Sequence, residues 1–142
     1  MDYKRFGDKI IARIDRTEEV HEKLKDLALK ENIKLASIYG IGATDDFTIG
    51  LFSLAKRDYK EKNFKGEFEI LSLIGSITTL DGEYYPHLHI SASDTDGKVY
   101  GGHLKSAKIS VTCELTINII DGTVERQKDD FTGINIYKFD LF

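Results

Sequence analysis

Apolar and polar residues alternate most clearly from Ala107 to Ile120, with Ile109, Val111, Cys113, Leu115, Ile117 and Ile119 on one face. The other face carries Ser110, Thr112, Glu114, Thr116 and Asn118. A period of two marks a strand with one buried side. The same rule predicts strands over Lys9 to Asp15 and Ile33 to Ala43, then a meander of Phe47 to Leu54 and Tyr59 to Phe64 joined by Ala55 to Asp58. Gly40 and Gly42 allow a bulge or the close approach of a neighbouring chain. From Glu67 to Leu80 both faces carry apolar groups, Phe68, Ile70 and Ile74 against Leu71 and Leu73. Such a strand is central or is covered by another subunit. Asp81-Gly82 and Asp121-Gly122 read as tight turns, Val124 to Lys128 returns from the second, and Ile134 to Leu141 closes the sheet.

One segment changes period. Between Glu18 and Glu31, Val20, Leu24, Leu27 and Ala28 recur at three- and four-residue steps, with Thr17 as expected N-cap and Asn32 as the left-handed end. One strong helical stripe among many short alternating segments predicts an α+β fold. Its sheet is mostly antiparallel, of about eight to ten strands, with one main helix packed on it. Leu24, Leu27, Ile70, Leu88, Ile90, Val111 and Leu115 are expected in the core.

The stretch from Tyr85 to Leu104 holds three of the four histidines and the single proline. Leu88, Ile90 and Ala92 alternate with His87, His89, Ser91 and Ser93, so both of these histidines point the same way. Asp94-Thr-Asp-Gly-Lys98 fits a three-residue hairpin loop with Gly97 in the left-handed position. That register sets Ser91 opposite Gly101 and His89 opposite His103, and brings three imidazoles onto one patch. A two- or four-residue loop would send His103 to the opposite face unless Gly101-Gly102 carried a bulge. Three imidazoles with a fourth position left open are the arrangement of catalytic zinc sites, whereas a His-x-His pair alone is also an ordinary polar strand face. Glu114 is a candidate partner of the cluster, or equally one half of a cross-strand salt bridge. The fourth histidine, His21, lies beside the charged positions of the helix and reads as a surface residue.

The run Gly66-Glu-Phe-Glu-Ile-Leu-Ser-Leu-Ile-Gly75, followed by Pro86-His-Leu-His-Ile90, Asp96-Gly97 and Gly101-Gly-His-Leu104, resembles the PPC domain, the plants and prokaryotes conserved domain. The likeness extends to Arg13, Gly40-Ile-Gly-Ala43 and Thr112-Cys-Glu114. In land plants this domain follows AT-hook motifs in nuclear DNA-binding proteins, and in bacteria and archaea it stands alone. The resemblance implies one domain over residues 1–142 that assembles as a homotrimer. More distantly the chain resembles acetolactate decarboxylase, whose zinc is held by a similar His-x-His and a later His. That likeness implies His87, His89 and His103 as ligands of Zn²⁺ or a similar divalent ion, and it does not transfer the reaction.

Composition narrows the rest. At 142 residues and 41% hydrophobic the chain can bury a substantial core as one domain. A formal charge of −4 supplies no basic field for phosphates, and the chain has no Arg-Gly-Arg-Pro core, so direct DNA binding is not expected. The lone Cys113 reads as a buried thiol suited to a reducing cytoplasm, and no secretory signal or membrane span is expected. Two functions compete. One is a metal-binding protein with Glu114 and Arg13 as groups that orient the metal-binding histidines or bind a substrate. The other is a non-catalytic oligomerisation or regulatory module. The residues do not specify a reaction.

Overall fold

The computed structural model describes residues 1–139. Eight strands and one helix follow one another: β1 (Asp2–Phe6), β2 (Lys9–Asp15), α1 (Val20–Lys30), β3 (Ala36–Ser53), β4 (Asp58–Leu80), β5 (Glu83–Ser93), β6 (Val99–Ile119), β7 (Glu125–Lys128) and β8 (Asn135–Lys138). The fold is α+β, and every pairing is antiparallel except one parallel contact between β4 and β7 at Thr79 and Glu125.

Length is what shapes the sheet. Strand β6 pairs with β5 through Val99 to His103, and with β3 from His103 onwards. Strand β4 pairs with both β3 and β5. These four strands therefore close on themselves around a core that includes Phe47, Leu73, Leu88, Leu104, Ile109 and Leu115. Helix α1 covers that core with Val20, Leu24, Leu27 and Ala28, the stripe its sequence predicts.

Several expectations need correction. The helix is capped by Glu19 rather than Thr17. The Glu19 carboxylate accepts from the N–H of Glu22 at 2.9 Å and from that of Ala107 at 3.0 Å, so one side chain both caps the helix and ties it to β6. Thr17 instead takes a left-handed turn (φ 74°) and donates its N–H to the Ile109 carbonyl. Asn32 does adopt the expected left-handed conformation, at φ 53°. Strand β1 has no counterpart in the sequence reading, because its burial shows no alternation.

The separate short strands proposed between residues 33 and 80 are two long ones, β3 and β4, with irregular register between Gly40 and Gly42 and between Thr44 and Asp46. A Cβ on Gly40 would meet the Glu114 carbonyl at 2.5 Å, so the close neighbour is β6 of the same chain. Strand β4 gains one residue on β5 between Ile70 and Ser72. That bulge reverses the alternation: Phe68 and Ile70 face the core before it, Leu73 and Ile77 after it, and Leu71 and Ile74 are left 50% exposed. Val111 is not in the core. Five residues of β6, from Cys113 to Ile109, run beside three of β3, from Gly42 to Thr44, and the irregularity turns Val111 out to 68% exposure. The other six core residues expected from sequence are buried. Strand β7 does not return along β6 but meets β4, and β8 pairs with β7. Leu141 lies outside the described residues.

Candidate metal centre

The site begins at the turn between β5 and β6. Gly97 has φ 79° and donates its N–H to the Asp94 carbonyl at 3.0 Å, while the N–H groups of Asp96 and Lys98 bond the Asp94 carboxylate. The Asp94 N–H closes the loop on the Lys98 carbonyl at 2.9 Å. This turn fixes the register predicted for it, with Ser93 facing Val99, Ser91 facing Gly101 and His89 facing His103. Leu88, Ile90 and Ala92 go into the core, so His87 and His89 point outward with His103.

Ring centroids lie 5.2 Å apart for His87 and His89, 5.3 Å for His87 and His103, and 5.7 Å for His89 and His103. One nitrogen from each imidazole can be chosen so that all three lie within 4.8 Å of one another. His89 is exposed, and the other two are half-buried. Burial, with His87 nearby, lowers the His103 pKa to about 4. His87 is also held below its ordinary value, first by burial and then by the cation of Arg126. Both rings are therefore neutral at pH 7, the form in which imidazole binds a metal.

The donor set fits a divalent ion. The Nδ1 atom of His103 is buried with no hydrogen-bond partner among the described residues, an orphan that a bound cation would satisfy. Neutral nitrogen donors suit zinc and its neighbours among the transition metals.

Arg13 and Glu114 lie elsewhere. They are register partners on β2 and β6, and Arg13 is exposed and engaged by Asp15 at 2.6 Å and Asp2 at 2.7 Å. Together they line a shallow hollow with Asp2, Tyr3, Lys4 and Ile11 that includes no histidine. Two strands, β3 and β4, stand between Glu114 on β6 and His89 on β5. His21 bonds the Leu104 carbonyl at 3.2 Å and stays out of the cluster. Cys113 is fully buried, with its thiol pushed up to about 12 by burial, which leaves it unreactive.

Sequence reasoning missed the residues that stand beside the histidines. A cavity of 260 Å³ is lined by Tyr59, Tyr85, His87, His103, Lys105 and Arg126, with Gly133 and Ile134 before β8 and Asn135 at its start. The Tyr59 ring lies 5.1 Å from that of His103, and Lys105 sits 4.4 Å above Tyr59. Tyr85 continues the alternation of His87 and His89, a signal the sequence did carry.

The sequence profile of the Plants and Prokaryotes Conserved (PCC) domain matches residues 1–121. The chain belongs to that family. Among solved structures, this PCC protein is similar to a candidate DNA-binding protein of Bacteroides thetaiotaomicron, with 31% identity over 99% of this chain and 98% of that one and a TM-score of 0.95. It is also similar to a metal-containing protein of Archaeoglobus fulgidus, with 29% identity over 98% and 99% of the two chains and a TM-score of 0.88. The acetolactate decarboxylase of Bacillus subtilis shares the fold at a TM-score of 0.58, with 17% identity over 82% of this PCC chain and 54% of the enzyme. No curated protein sequence matches the chain.

Proposed function

We propose that the chain is a homotrimeric, cytoplasmic metal-binding protein in which His87, His89 and His103 hold a divalent ion, zinc first among them, and present it to a small oxygen-containing ligand. The observation that carries this reading is the approach of three imidazole donors to within 4.8 Å of one another on adjacent strands. The metal content of the A. fulgidus neighbour supports a metal without saying which. A bound zinc ion would supply a Lewis acid and a water of lowered pKa at its open position. Around it the chain's own residues set the environment: Tyr59 packs on His103, and Lys105 and Arg126 bring positive charge.

The homotrimer is supported by an exposed row across the sheet. Register partners run from Ile11 through Thr116, Tyr39 and Ile74 to His89 and His103. Ile11, Tyr39 and Ile74 are each about half exposed, and Ile41, Leu71 and Val111 widen the apolar area. A contiguous patch of this kind marks a contact surface. The histidines stand at its end.

A second reading is favoured by the name of the B. thetaiotaomicron neighbour: a regulatory or oligomerisation module within a DNA-associated assembly. With a net charge of −4, such a role would run through a protein partner and not through phosphate contacts. Cobalt substitution separates the two. The first reading expects visible absorption bands of four-coordinate cobalt that shift when a small carboxylate is added. A protein that takes up no cobalt under any condition supports the second.

A further inference from the structure

Arg126 is 6% exposed on β7, yet no carboxylate among the described residues pairs with it. Its Nε donates to Thr78 Oγ1 at 2.8 Å and its Nη1 to the Asn135 carbonyl at 2.8 Å. The guanidinium lies between the rings of Tyr85, at 4.7 Å, and Tyr137, at 4.6 Å. Nη2 is buried with no acceptor among the described residues. An unpaired buried cation with an orphaned donor is strongly unfavourable, and the two aromatic faces offset only part of that cost.

The side chain that carries this free donor lines the same 260 Å³ cavity as His87 and His103, and Lys105, whose Nζ lies 3.5 Å from Glu61 Oε1, lines it too. We propose that the cavity is a carboxylate pocket, in which the Arg126 guanidinium and Lys105 Nζ receive the carboxylate of a small acid while an adjacent hydroxyl or carbonyl oxygen faces the histidines. The carboxylate half stands on Arg126 alone; the placement of the second oxygen rests on the metal reading above. Size and donor count choose the ligand class. The cavity falls below the roughly 300–1,000 Å³ typical of pockets for drug-sized ligands, which favours a small acid over a nucleotide. Two of the three guanidinium nitrogens are already used, so Arg126 offers one nitrogen end-on. That suits one carboxylate oxygen and not the bidentate grip that phosphate receives. Arg126 lies beyond the 1–121 region matched by the family profile.

The test uses the full chain, zinc-loaded and zinc-stripped with zinc content measured, titrated with lactate, the neutral lactamide and inorganic phosphate. Binding is followed by calorimetry and by the ¹H–¹⁵N resonances of the Arg126 guanidinium in the wild type. Lactate should shift those resonances saturably, and lactamide should bind at least about tenfold more weakly, the range of one charge-assisted hydrogen bond. Arg126→Gln should lose a similar factor and Arg126→Lys less. Because the resonance is read in the wild type, a variant that fails to fold does not remove the test. Saturable shifts in a protein that binds no zinc would uphold the pocket and remove the metal reading. Zinc uptake with Arg126 unmoved by lactate overturns the pocket, as does phosphate binding as tightly as lactate.

Discussion

His89 and His103 stand directly opposite each other on β5 and β6, with ring centroids 5.7 Å apart, because a three-residue loop and not a two-residue one joins their strands. The loop has Gly97 at φ 79°. A β-branched residue there costs about 1–3 kcal/mol if it keeps the conformation, and the loop can relieve the cost by changing register. Gly97→Val should therefore weaken zinc binding at least tenfold although it touches no ligand. Isothermal titration with zinc checks this, and an affinity equal to the parent's would break the link between turn and site.

Stability should fall with pH in a defined window. In the metal-free protein burial lowers the pKa of His103 to about 4 and that of His87 below its ordinary value. An unfolded imidazole takes up a proton near pH 6.5. Between these values the unfolded state binds more protons than the folded one, so stability is complete above about 6.5 and is lost progressively as pH falls towards 4. Urea unfolding of the chelated protein between pH 7 and 5, above the range where carboxylates respond, should show this slope. His103→Gln should flatten it, and an unchanged slope would mean that His103 is protonated in the fold.

Leu115 is 2% exposed on the inner face of β6, two residues from the inner Cys113 and Ile117. Leu115→Ala should cost on the order of 2–5 kcal/mol by chemical denaturation. Val111→Ala, on the same strand but 68% exposed, should cost far less in a monomer. Comparable losses for the two would place Val111 in a contact the single chain does not contain.

The exposed row ending at the histidines carries the expectation of a trimer. Sedimentation at micromolar concentration should give three times the 16.1 kDa chain mass, and Leu71→Asp should shift it towards monomer. A wild-type monomer would leave the row without its proposed cover.

The sequence made the histidine site legible because its register depends on local chemistry: the Asp94 cap, the Gly97 conformation and a strict alternation from Tyr85 to Ser93. Helix α1 was legible for the same reason, although its start was not, since the Glu19 carboxylate is fixed by Ala107 on a distant strand. Leu73 and Ile74 exchange the faces expected of them because the bulge at Leu71 shifts the later side chains of β4, and Val111 is turned out by an irregularity that leaves Ile109, Cys113 and Leu115 inside. Arg126 was invisible for a different reason. Four-residue β7 has no period to read, and its position depends on a parallel contact with Thr79 that nothing nearby in the sequence encodes.

The central claim is a metal held by three histidines, and elemental analysis of protein purified without chelator or affinity histidines tests it most directly. The account predicts close to one divalent ion per chain in the wild type and near-complete loss in His89→Ala, with an unchanged circular dichroism spectrum. A wild-type protein that holds no metal after incubation with zinc, or a His89→Ala variant that retains the full complement, would contradict it.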